Sequence, residues 1–198
     1  MKEDILEQLA TDYLEADGYF TTSNVKFRPQ RTDPGYDSKQ DSVHSDIDVL
    51  GYHPTRTGID RVVAVSCKSE QNGFDPKWEI QAIKDNRTVG GREAWRRFRE
   101  LVNPKWALAF KHAVYERTGA KEFIYYTAVT RLYKEKDRTI WEQYEPFRNI
   151  LGCEIRVVTL SEMVKRVSAS LTETVANSEL GRTIQLLKAA GVLNEAGA

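Results

Sequence analysis

The chain has 198 residues, 40% of them hydrophobic and 29% charged, with 29 basic side chains against 29 acidic ones. That length suits one domain with a sizeable core, and the composition excludes low-complexity, collagen-like and disulfide-framework proteins. A net charge of zero excludes general attraction to nucleic acid, so any such partner has to be held by a local patch.

Two cysteines, Cys67 and Cys153, are too few for a disulfide framework, and Cys67 falls within an apolar strand pattern. A reducing, cytoplasmic compartment is the expectation. The stretch MKEDILEQLA lacks an apolar leader core. Nowhere do about 20 apolar residues follow one another, so no membrane association is expected.

Leu6, Leu9, Ala10, Tyr13 and Leu14 recur at the spacing of an amphipathic helix, which Gly18 closes. NVKFRP reads as extended, and RTDPGYDSKQDS as a polar loop with a Pro-Gly turn. VHSDIDVLGYH and DRVVAVSCKS are strand candidates, and PTRTGI between them suits an antiparallel hairpin. From Trp78 to about Gly119 the alternation stops, and GREAWRRFRELV and PKWALAFKHAVYERTG read as helices. EFIYYTAVT and EIRVVTL are further strands, separated by a helix around TIWEQYEPFRNIL. Thr159 with Glu162 forms a capping box ahead of the apolar stripe Leu160, Met163, Val164, Val167 and Leu171. A last helix, SELGRTIQLLKAAG, ends at Gly191. The sum is a mixed α/β domain over residues 1–160, helices covering a central sheet, with C-terminal helices over 161–198 packed on the same domain.

Period-2 geometry on the first hairpin strand puts Ile47 and Val49 on one face, Asp46 and Asp48 on the other. On VVAVSCKSEQ it sends Val63, Val65 and Cys67 one way. Ala64, Ser66, Lys68 and Glu70 go the other way for as long as the strand lasts. Paired strands lie about 4.8 Å apart, so a hairpin sets the acidic face beside Ser66, Lys68 and Glu70. Carboxylates among apolar neighbours are costly unless they are paired or bind a cation. The plainer alternative is an exposed sheet face with an Asp–Lys pair worth about 0–1 kcal/mol.

SDIDVLG followed by VVAVSCKS resembles the core signature of the PD-(D/E)XK nuclease superfamily, in which Asp48 matches the first acid and Lys68 the lysine. EQLATDYLEADGYF resembles the first helix of its archaeal Holliday-junction resolvase and methyl-directed restriction branches, with Glu7 at the site glutamate and Glu3 as runner-up. The resemblance spans about Glu3 to Glu79. It implies a restriction endonuclease-like fold and Mg²⁺- or Mn²⁺-dependent hydrolysis of DNA phosphodiester bonds, in defence or repair. It further implies that Asp48, a second acid and the Cys67 carbonyl hold the metal. Lys68 would orient the attacking water or neutralise the transition state, and Glu7 would hold a metal-bound water or a second ion.

The chain departs from the pattern at Ser66, which stands where the second acid belongs, and a neutral hydroxyl is a poor ligand for a hard cation. Three readings stay open. Glu70 supplies the carboxylate, Glu79 reaches in from the next helix, or the site is degenerate and binds without cutting. The expected catalytic set is Glu7, Asp48, Lys68 and Glu70, with Asp48, Glu70 and Cys67 as metal ligands. In NRTVGGREAWRRFREL, Arg92, Arg96 and Arg99 share one helical face that would contact DNA phosphates. The alternative there is an amphipathic helix with Trp95 and Phe98 in the core and its arginines paired to Glu93 and Glu100. A homodimer is one way for a single site to cut both strands. A protein-interaction domain is the remaining alternative, in keeping with the zero net charge. His44, His53 and His112 have no zinc spacing.

Overall fold

A computed structural model describes residues 4–172 and 174–193. Helix α1 (Ile5–Ala16) begins where the Asp4 carboxylate accepts the Leu6 N–H at 2.8 Å, and it buries Leu6, Leu9, Ala10 and Leu14. Strand β1 (Phe20–Phe27) follows, then a loop containing the one-turn helix α2 (Ser38–Asp41), then β2 (Ser45–Tyr52) and β3 (Val62–Lys68). Helix α3 (Pro76–Lys84) starts on an Asp75 cap with proline in its first turn. After it come a small hairpin, β4 (Thr88–Val89) and β5 (Arg92–Glu93), a 3₁₀ segment over Ala94–Phe98, and helices α4 (Arg99–Val102) and α5 (Pro104–Thr118). The chain then forms β6 (Ile124–Val129), α6 (Arg138–Glu142), α7 (Glu145–Leu151), β7 (Glu154–Thr159), α8 (Leu160–Ser170) and α9 (Glu179–Ala189).

Five strands form one mixed sheet in the order β1-β2-β3-β6-β7, antiparallel across the first three and parallel from β3 to β7. One layer packs α1, α8 and α9 on Val49, Val63, Val65, Ile124, Ala128 and Val158, through Leu9, Leu14, Met163, Val167 and Ile184. The other layer sets Ile80, Phe98, Trp106, Phe110, Trp141 and Phe147 on Leu50, Val62, Ala64 and Tyr125. The predicted α/β architecture is therefore present, with the C-terminal helices in the first layer and residues 194–198 outside the described range.

Several local expectations are corrected. GREAWRRFRELV is no continuous helix: Gly90 and Gly91, at φ +57° and +78°, turn the β4–β5 hairpin, and the 3₁₀ segment follows. The polar loop contains α2, whose Asp41 is fully buried. TIWEQYEPFRNIL forms two helices, because Pro146 in the first turn of α7 favours a fresh start there. Ile47 and Val49 do not share a face, since Ile47 enters the α5 layer and Val49 the α1 layer. The alternation breaks at Asp48, opposite Asn24, which sits at φ +57° between the paired residues Ser23 and Val25. Asparagine is among the few non-glycine residues that accept this left-handed backbone, so the first two strands kink together here.

Candidate active site

The site begins where β2 parts from β3. Their pairing runs from Tyr52↔Val62 to Val49↔Val65 and stops, while β3 continues beside β6 through Ser66↔Thr127, Cys67↔Ala128 and Lys68↔Val129. Into the gap the Asp48 carboxylate accepts the Cys67 N–H at 2.5 Å. In a strand the N–H and C=O of one residue point the same way, so the Cys67 carbonyl faces the gap as well. The Cys67 side chain packs toward the α1 layer. Burial pushes the Asp48 carboxyl up, with Glu100 and Asp46 adding to it, while the Lys68 ammonium and the Cys67 N–H pull it back.

Ser66 and Lys68 lie on the α3 side, as the alternation predicts. The Lys68 ammonium donates to the Ser66 hydroxyl at 2.8 Å and lies 5.3 Å from the centre of the Phe98 ring. Below it, Tyr125 is fully buried and donates its phenol to Glu100 at 2.5 Å.

Glu79 enters from the first turn of α3, and its side chain is only 2% exposed. Its Oε1 accepts the Arg97 guanidinium at 2.8 Å, while its Oε2 is buried with no hydrogen-bond partner. Burial pushes the Glu79 carboxyl up to about 7 against the pull of Lys68. Lys68 thus lies in the field of two carboxylates from different elements, Asp48 on β2 and Glu79 on α3.

Glu70 does not continue the Lys68 row, because β3 ends at Lys68 and the chain turns toward α3. Its carboxylate pairs instead with the second arm of Arg97. Glu7 lies on the half-buried flank of α1, and together with Asp48 and Asp4 it helps raise the Cys67 thiol, for which burial is the larger cause. Its layer is that of the Cys67 side chain, across the sheet from Ser66 and Lys68.

Arg92, Arg96 and Arg99 do not share a helical face, since one is on β5, one in the 3₁₀ segment and one at the start of α4. The turn still gathers their charges: Arg99 is lowered by burial first, then by Arg96 and Arg92. Arg92 is exposed, Arg96 pairs with Glu93 at 2.7 Å, and Arg99 stacks 4.5 Å from the Trp106 ring centre.

Among the described residues no group of three or more His, Cys, Asp and Glu side chains is arranged to hold a metal ion. Mg²⁺ is typically held by one or two carboxylates, with water and substrate phosphate completing its shell. The donors present are hard oxygens: the Asp48 carboxylate, the Cys67 carbonyl facing the same gap, and the orphaned Oε2 of Glu79. Each is a donor type that such an ion takes.

Sequence reasoning gave no site role to Arg97, Glu100 or Tyr125. Arg97 was legible only as one of a run of arginines, and its partners depend on the hairpin and 3₁₀ path that replaces the expected helix. Comparison with known proteins finds no match among family models, curated proteins or solved structures.

Proposed function

We propose that the chain is a divalent-cation-dependent endonuclease hydrolysing DNA phosphodiester bonds, with the gap between β2 and β3 as its active site. The reading rests on the motif resemblance, and one observation carries it: a half-buried carboxylate and a buried, incompletely bonded one both act on the lysine at the end of a central strand. Such groups are costly in a core and are retained at functional sites. Asp48, Glu79 and the Cys67 carbonyl would hold the cation, which would supply charge stabilisation on the phosphate and a more acidic water. Lys68 presents its ammonium to the scissile phosphate and neutralises charge developing on it. Glu79 supplies the carboxylate that Ser66 does not. Arg92 and Arg96 contact flanking phosphates. Incubation of supercoiled plasmid with the protein and Mg²⁺ or Mn²⁺ tests the reading, with cleavage expected from the wild type and lost in Asp48→Asn and Lys68→Ala. Cleavage that survives both substitutions refutes the site.

A second reading has one observation in its favour. Ser66 takes the acid's place and engages the Lys68 ammonium directly, which suits a site that binds nucleic acid without cutting it. Salt-dependent DNA binding with no cleavage in any divalent cation selects it.

A further inference from the structure

We propose that Arg97 is an internal stand-in for a divalent cation: Glu70 and Glu79 form a cation position that the guanidinium occupies in the free protein, and an incoming metal ion displaces it. The idea deepens the nuclease reading and rests on it only for what Arg97 does afterwards.

The geometry is that of a cation held between two acids. One guanidinium arm donates to Glu79 Oε1 at 2.8 Å, and the other pairs with Glu70. The two acids come from different segments, one beyond the end of β3 and one in α3, so the pair is built by the fold. A purely structural ion pair would be expected to satisfy its buried oxygens. This one leaves Glu79 Oε2 buried and without a partner, although each carboxylate oxygen can accept hydrogen bonds. A divalent ion carries twice the charge of the guanidinium and can take both acids through hard oxygen contacts.

Arg97 has somewhere to go. It sits in a 3₁₀ segment beside the Gly90-Gly91 hairpin, its side chain is 23% exposed, and its guanidinium lies 5.5 Å from the centre of the same Phe98 ring that carries Lys68. Released, it becomes a second cation next to Lys68, planar where the ammonium is not. A phosphodiester oxygen can be gripped bidentately by that fork. Metal entry and phosphate capture are then one exchange of partners, and the free protein holds its acids neutralised.

The test measures Mn²⁺ binding by calorimetry at pH 8.0 on wild type, Arg97→Met, Arg97→Lys and Glu79→Gln. Removing the internal competitor tightens Mn²⁺ binding by about tenfold, the scale set by one half-buried ion pair. Arg97→Lys falls between, because one ammonium spans the two acids less well. Glu79→Gln loses the binding. Unchanged or weaker binding by folded Arg97→Met overturns the proposal, as does an absence of binding in both wild type and variant. Should Arg97→Met fail to fold, the wild type decides by nitrogen-15 NMR. The Arg97 Nε–H signal, assigned by its loss in Arg97→Lys, shifts with saturating Mg²⁺ and not with NaCl of equal ionic strength. A signal that stays put refutes the exchange. These readouts do not depend on cleavage, so inactivity on plasmid leaves them decisive.

Discussion

Replacing Asp41 with asparagine tests whether the loop that leads into β2 is anchored by one buried carboxylate. The Asp41 side chain is 1% exposed and accepts three donors: the Asp37 N–H at 2.8 Å, the Lys105 ammonium at 2.6 Å and the Trp106 indole N–H at 3.1 Å. Burial pushes its carboxyl up, but the Asp37 amide, Lys105 and Trp106 outweigh that and hold it below the usual carboxylate range. Asparagine has one acceptor oxygen, so its amide N–H₂ must face at least one donor, and Lys105 loses its counter-charge in a largely buried place. One charge-assisted hydrogen bond contributes about 1.5–3 kcal/mol, and the stranded donor adds to the loss, giving about 3 kcal/mol for Asp41→Asn. For a chain of this size that lowers Tm by about 6–12 °C. Thermal unfolding followed by circular dichroism at pH 7 measures it. Because the folded-state pKa is depressed, the stabilisation is full above the unfolded value and disappears as pH falls through the folded one. The gap between wild type and variant therefore narrows below about pH 4. A loss under about 1 kcal/mol at pH 7, or a gap that does not narrow in acid, refutes the anchoring argument.

Three further outcomes follow from the same geometry. On the proposed nuclease reading, Lys68→Ala lowers the rate of plasmid cleavage by about 100- to 1,000-fold, the usual effect of removing one transition-state charge contact. Mn²⁺ affinity rises with pH between about 6 and 8, because the Glu79 carboxyl titrates at about 7 and only its ionised form is a ligand; calorimetry in which Glu79→Gln shows the same slope contradicts that assignment. Gly51→Ala destabilises by about 1–3 kcal/mol, since a Cβ there would stand 3.0 Å from Leu14 Cδ1 and 3.2 Å from Tyr19 Cδ1, where α1 lies against β2. An unchanged urea midpoint for that variant shows the contact to be easily relaxed.

Strong periodicity was legible and weak periodicity was not. The α1 stripe, the β3 alternation and the Thr159–Glu162 capping box appear as read, because each depends on neighbours a few residues away. The break in alternation at Asp48 was not legible, since it lies opposite a positive φ at Asn24 on the neighbouring strand, which the pattern of β2 alone does not signal. Arg92, Arg96 and Arg99 looked helical by spacing alone, yet paired glycines at a hairpin tip outweighed that pattern. Asp48, Lys68 and Glu79 could be named from sequence. Their relation to Arg97, Glu100 and Tyr125 could not, because those partners lie 18 to 25 residues or more apart in pairs such as Glu79 with Arg97 and Glu100 with Tyr125.

The parting of β2 from β3 bears on the order in which the parts of the candidate site assemble. Asp48 and Cys67 are 19 residues apart in one hairpin, whereas the parallel neighbour of β3 arrives only after more than 50 intervening residues. Short loops close sooner than long ones. The aspartate and the lysine strand are therefore expected to meet while β6 is still unplaced, and a chain stalled at that stage presents an acidic notch along one edge of a half-made sheet.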